Sequence, residues 1–267
     1  MTQLIHKELT YIVRGVLFDV YNHLGPKLPE KFYQKAITFG LREQGITCEP
    51  EQKFEVIYRN QSAGKYKLDH WLENGKLILE IKVAPNIKPI HQAQTLSYLK
   101  LTNADLAIIA NFGTKSLQDQ RLPNFIRNKI VKFEWQPPPV NKHILYSELT
   151  ARILEGLHRV HFTLGPGFIH RTYRDAMMIE LQYQGLSYEH ITKIQTYYKH
   201  YYIDVQEVQL IKVEGKVLLG VFALGMMDEL MEIIMKKRMK HLRTQLGILA
   251  NFYGEKLEIQ RVFSTAD

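Results

Sequence analysis

Glu80 and Lys82 stand two apart in the run Leu77-Ile78-Leu79-Glu80-Ile81-Lys82-Val83. The apolar content of that run reads as a buried strand, so its two charges project from one face. Asn74-Gly75, just before it, is a strong hairpin signal. A two-residue loop there would pair Glu73 with Lys76 and set Asp69 of the preceding strand opposite Glu80, and residues paired across strands share a face. Two carboxylates and one ammonium therefore converge. Carboxylate pairs of this kind hold Mg²⁺ with several of its waters, and a neighbouring lysine can orient or deprotonate one of those waters for attack on a phosphodiester. Taken alone, the triplet also fits a solvated charged face or a simple Glu–Lys pair, the commoner fate of charged strand residues.

The elements that must position these groups follow from periodicity. Leu4 to Leu24 has an apolar stripe at helical spacing, stopped by Gly25-Pro26. A second helix runs from about Pro29 to a cap at Gly45, with Glu30 in its first turn, where a carboxylate complements the helix dipole. Lys53 to Arg59 and Tyr66 to Leu72 read as strands joined by a loop over Asn60 to Gly64. A helix near Ile90 to Leu101 carries Gln94 and Tyr98 four apart, on one face, and a strand from Ala104 to Phe112 closes the order α, α, β, β, β, α, β. Three meandering strands, a crossover helix and a fourth strand imply an α/β mixed sheet flanked by helices.

The whole arrangement is written twice. Leu24-Gly25-Pro26 returns as Leu164-Gly165-Pro166 and Ala110-Asn111-Phe112 as Ala250-Asn251-Phe252, both displaced by 140 positions (164 − 24, 250 − 110). The 267 residues thus divide into domains at 1–135 and 144–267, with Gln136-Pro137-Pro138-Pro139 opening a stiff linker over 136–143. Net charge is +8 and the pI about 9.3, a bias toward polyanions. Cys48 is the only cysteine, which excludes an intrachain disulfide, a Cys-based zinc site and a chain-held Fe–S cluster. No signal peptide and no apolar run of roughly 20 residues is present, so a soluble, cytoplasmic protein without a membrane partner is expected.

Glu30-Lys31-Phe32-Tyr33, Asp69, Glu80-Ile81-Lys82, Gln94-Thr95-Leu96-Ser97-Tyr98 and Ile109-Ala110-Asn111-Phe112-Gly113 together resemble the GxxExxY proteins of the PD-(D/E)xK nuclease superfamily. The resemblance covers nearly all of the first copy. It implies a restriction-endonuclease-like fold in each copy and a nuclease core in the first, with Asp69 and Glu80 as ligands of Mg²⁺ or Mn²⁺. Lys82 would position the water, Glu30 would add a helix-borne carboxylate, and Gln94 and Tyr98 would contact nucleic acid or order the site. The glycine of the family motif is Lys27 here.

The offset of 140 turns Asp69, Glu80, Lys82, Glu30, Gln94 and Tyr98 into Gln209, Gly220, Phe222, His170, Ile234 and Arg238. A degenerate copy is expected, with Phe222 filling the place to which Lys82 reaches. The helix after Asp228 gains Lys236, Lys237, Arg238, Lys240 and Arg243, a basic face suited to phosphate contacts or to a protein partner. The expected activity is metal-dependent phosphodiester hydrolysis, with DNA as the nucleic-acid partner and the second copy in binding or as a pseudo-dimer partner. The alternative is a non-catalytic nucleic-acid-binding or assembly subunit.

Overall fold

The structure is a computed structural model describing residues 5–125, 132–136 and 145–264; of the linker expected over 136–143, all but Gln136 lies outside the described residues. The chain forms two compact units, one of 1–56 with 65–131 and one of 57–64 with 132–267.

The first copy runs α1 (Lys7–Leu24), α2 (Glu30–Glu43), β1 (Cys48–Tyr58), β2 (Gln61–Leu72), β3 (Leu77–Lys82), α3 (Pro89–Thr102), β4 (Leu106–Asn111) and β5 (Gln118–Pro123). The second repeats it as α4 (Ser147–Leu164), α5 (His170–Tyr183), β6 (Tyr188–Tyr198), β7 (Tyr201–Val213), β8 (Val217–Phe222), α6 (Glu229–Leu242), β9 (Leu246–Asn251) and β10 (Glu258–Phe263). Each sheet has five strands in sequence order. The pair β3–β4 is parallel, as is β8–β9, while β2–β3 and β4–β5 are antiparallel. No helix among the described residues is long and apolar enough to cross a membrane.

Two departures from the sequence reading stand out. A fifth strand closes each sheet where four strands were expected, because Gln118–Pro123 is a half-buried, largely polar strand with no apolar alternation to betray it. The loop expected over Asn60 to Gly64 is a tight turn at Arg59-Asn60, both left-handed (φ 47° and 61°), so β2 begins at Gln61.

Layering follows from the pleat. Leu77, Leu79 and Ile81 pack with Val13, Leu17, Tyr33, Ile37 and Leu41 of α1 and α2, leaving Ile78, Glu80 and Lys82 on the opposite face, the side on which α3 packs over β4 and β5. The anchors shared by the copies are scaffold. Asn111 Oδ1 accepts from the Ala84 and Gly113 amides while its Nδ2 donates to the Ala84 carbonyl, tying the segment after β3 to the end of β4; Asn251 does the same with Leu224 and Tyr253. Tyr33 stacks on Phe112 at 4.2 Å, donates to the Gly25 carbonyl and accepts from the Leu28 amide. Tyr173 repeats this with Phe252, Gly165 and Phe168.

The loop so held places Lys27 at φ 66°, with its amide donating to the Phe112 carbonyl. A left-handed conformation strains any residue with a Cβ, which explains why glycine suits this point. Lys27→Gly is expected to stabilise the protein by about 1 kcal/mol in denaturant titrations.

Candidate active site

The β2–β3 hairpin sets the register of the site. Its connection is longer than the two residues expected: a short 3-10 turn, Glu73–Gly75, precedes Lys76, and the closing pair is Leu72 with Leu77. Glu73, Asn74 and Gly75 all have positive φ, a path that Asn and Gly tolerate well. The register is nonetheless the expected one, since a Leu72–Leu77 pair lies one step along the same ladder as a Glu73–Lys76 pair, and Asp69 falls one step beyond the pair His70–Leu79, facing Glu80.

Glu80 is buried, at 3% exposure, in a strand that is otherwise apolar. Its Oε2 lies 3.5 Å from Lys82 Nζ, while its Oε1 is buried without a hydrogen-bond partner. Desolvation above all, then the Asp69 charge, pushes its carboxyl up to about 8, although Lys82 opposes the shift. Asp69 is fixed on both oxygens: Oδ1 accepts from Gln34 Nε2 at 2.5 Å and Oδ2 from the Ile81 amide at 2.7 Å. A rigid carboxylate therefore stands beside a buried one that has an unused oxygen. That donor set suits a hard divalent cation completed by waters.

Above this face, Gln94 Nε2 donates to Tyr98 OH at 2.6 Å, and Tyr98 lies 5.9 Å, ring to ring, from Tyr66 of β2. Burial, then the Glu80 charge, raises the Tyr98 phenol, so it stays protonated. Glu30 stands apart from the carboxylate pair, with its Oε1 accepting from the Val83 amide at 3.3 Å just beyond Lys82. Among the described residues, no group of three or more His, Cys, Asp and Glu side chains comes together as a metal cage, so the acidic cluster is a pair rather than a trio.

Three residues beside the site escaped the sequence reading. Gln34, which holds Asp69, is four positions from Glu30 on α2, and that spacing was a usable signal. His91 precedes Gln94 and Tyr98 by three and seven on α3; burial first, then the Lys82 and Lys88 charges, lowers its imidazole, so it stays neutral. Tyr66 lies three before Asp69 and gave no pattern. His70, on the other face of β2, is buried 3.0 Å from Thr38 Oγ1 and 3.1 Å from the Gln34 carbonyl, and desolvation keeps it neutral.

In the second copy this face is apolar. A Cβ on Gly220 would meet the Phe222 ring at 2.7 Å, so Phe222 lies over the position that Glu80 holds in the first copy. It packs with Val208, Leu210, Leu218, Met235, Met239 and Leu249. The constant offset conceals a slip. Leu210 pairs with Gly220, so the spatial counterpart of Asp69 is Leu210, not Gln209, which is exposed and bonds His190. Val213 stands at the formal offset of Glu73, yet Glu214 does the work of Glu73: each glutamate accepts from an amide just before the first strand, Glu73 from Thr47 and Glu214 from Ser187. The second hairpin is one residue shorter, and β7 regains that residue at an irregularity opposite Ile191–Lys193.

The basic helix is divided in its exposure. Lys236 pairs with Glu232 at 2.8 Å, and Arg238 is half-buried with Nε lacking a partner. Lys237, Lys240 and Arg243 are exposed, with Arg243 just past the helix as a left-handed cap.

A family model described as PD-(D/E)XK nuclease superfamily matches residues 7–122 and 147–262, two segments displaced by the same 140 positions. The chain belongs to the PD-(D/E)XK nuclease superfamily, as a tandem duplication. No curated protein matches it. Among solved structures, that of SSO0001 is 16% identical with a TM-score of 0.25, covering 45% of this chain and 79% of that one.

Raising the Glu80 carboxyl from 4.5 to about 8 means that the native metal-free protein prefers its neutral form. The associated stability is complete below the unfolded value of 4.5 and is lost as pH rises toward about 8. In chelator, Glu80→Gln should therefore match the wild type in acid and exceed it by on the order of 5 kcal/mol in mild alkali, as read by denaturant unfolding across pH.

Proposed function

We propose that the first copy is a metal-dependent nuclease of the GxxExxY type acting on DNA, and that the second copy binds nucleic acid without cleaving it. The observation that carries this reading is the juxtaposition of Asp69 with buried Glu80, whose Oε1 lacks a partner, and Lys82 3.5 Å away. Asp69 and Glu80 would hold Mg²⁺ or Mn²⁺, which supplies Lewis-acid polarisation of the phosphate and a more acidic bound water. Lys82 orients the attacking water and offsets charge gathering on the phosphate. Gln94, Tyr98 and His91 line the approach as neutral hydrogen-bonding groups, and Gln34 positions Asp69. Glu30, outside the pair, holds the strand end that carries Lys82. A buried neutral thiol at Cys48, the chain's sole cysteine, is consistent with a cytoplasmic setting.

Cleavage of single- and double-stranded DNA and RNA should require Mg²⁺ or Mn²⁺ and stop with chelator. Asp69→Ala and Glu80→Ala should lose both metal binding and turnover. Lys82→Ala should keep metal affinity while turnover falls by about two orders of magnitude or more. Equal cleavage by all four proteins would remove the assignment.

The exposed cations of α6 and its cap supply phosphate contacts that carry no sequence information. Replacing Lys237, Lys240 and Arg243 together with Gln should weaken binding to every sequence alike and flatten its salt dependence by up to about 3 in log–log slope, as measured by fluorescence anisotropy. The rate at saturating substrate should stay unchanged.

A further inference from the structure

The second compact unit includes Ile57–Gly64, the turn between β1 and β2, seated against α5. There Tyr58 donates to Glu180 Oε2 at 2.7 Å, Arg59 Nε donates to the same oxygen at 2.6 Å, and the Arg59 guanidinium lies 3.4 Å from the centre of the Tyr183 ring. Tyr58, Ala63 and Glu180 are buried by this packing.

The repeat supplies a second turn and a second groove of the same kind. The turn is Tyr197–Tyr202 between β6 and β7, with Lys199 left-handed (φ 54°) where Arg59 is left-handed (φ 47°). Tyr197, Tyr198, Tyr201, Tyr202 and Ile203 are all at least half exposed. The groove lies between α1 and α2 of the first unit, about 450 Å³ in volume, and is lined by Tyr11, Gly15, Phe18, Asp19, Gly40 and Glu43 among others. Gly40 stands at the position of Glu180 and Glu43 at that of Tyr183, each displaced by 140. Tyr11 and Phe18, two turns apart on α1, are exposed at its rim.

We propose that a second copy of this chain docks here, the aromatic turn Tyr197–Tyr202 of one chain seated in the α1–α2 groove of another. The argument is repetition with complementary change. The turn that meets Glu180 presents Tyr58 and Arg59, and its counterpart presents Tyr198 and Lys199. The groove that would receive Lys199 offers Glu43 where Tyr183 receives Arg59, with Asp19 also in its lining, while the one cation there among the described residues, Arg14, is paired with Asp119 at 2.8 Å. Gly15 leaves room for the larger aromatic turn, since a Cβ there meets nothing within 4 Å, whereas Gly40 lets Val16 of α1 pack close against α2. Each chain carries one such turn and one such groove, so the contact is heterologous, the turn of one chain in the groove of another.

The test is mass in solution, by light scattering and sedimentation, for three proteins. The wild type should contain at least two chains at micromolar concentration. A turn variant, Tyr198→Ser with Tyr201→Ser, and a groove variant, Gly15→Arg with Glu43→Lys, should each fall to one chain. Their equimolar mixture should recover a two-chain species, because each supplies the half the other lacks; that recovery also shows that both variants are folded. A monomeric wild type would overturn the proposal, and so would a groove variant that still associates, since turn-to-turn contact would then suffice. A mixture that stays monomeric while both variants keep the wild-type unfolding temperature would overturn it equally.

Discussion

Burial of a carboxylate on a central strand is the constraint around which the first copy is arranged. The parallel pair β3–β4 is covered on both faces, and strands so placed are built almost wholly of apolar residues. Glu80 is the buried carboxylate among them, and an ionised carboxylate there is strongly disfavoured. Its surroundings answer that cost in part. Lys82 supplies opposite charge, and Asp69, whose own charge adds to the burden, is held in place by the Gln34 amide and the Ile81 N–H. The Tyr98 phenol and the neutral His91 complete a polar lining with no further charge of their own.

The same constraint explains how much of the site was readable. A charge inside Leu77-Ile78-Leu79-Glu80-Ile81 is visible because its neighbours leave only one buried strand to draw, and the turn sequence then fixes what lies opposite. The hairpin had more residues than Asn74-Gly75 suggested, yet the register survived, because lengthening a turn equally on both sides leaves the remaining pairs unchanged. Gln34 and His91 act through tertiary placement on helices, where local pattern gives spacing but not the neighbour. β5 was invisible for the opposite reason: an edge strand that buries little has no apolar period, so its pairing with β4 supplies what propensity does not.

A repeat offers an internal control, but alignment alone misassigned one member of it. Constant displacement equates Asp69 with Gln209, whereas strand pairing equates it with Leu210. The loss of one turn residue after β7 and its recovery at an irregularity within β7 cancel in the sequence, so the slip is silent outside the hairpin. Conservation of local work locates it: Glu73 and Glu214 accept from corresponding backbone amides although they are 141 positions apart (214 − 73). Because side chains alternate along a strand, a slip of one residue decides which face each presents.

Corrected in this way, the comparison says more about the chemistry than the simple loss of charges would. Leu210, Gly220 and Phe222 replace Asp69, Glu80 and Lys82 with a small residue and two apolar ones, and α6 contributes Met235 and Met239 to the same cluster. Replacing buried charges with packed apolar groups is commonly neutral or stabilising. The second copy therefore shows the same architecture with an apolar cluster on that face. The scaffold groups behave oppositely: Tyr33 and Asn111 keep equivalent partners in Tyr173 and Asn251. On the first turn of one helix, then, the tyrosine serves the loop and persists in both copies, while Glu30 becomes His170 in the copy whose carboxylate pair is gone. The tyrosine keeps one structural role in both copies, whereas the acids are not required by the fold that the copies share.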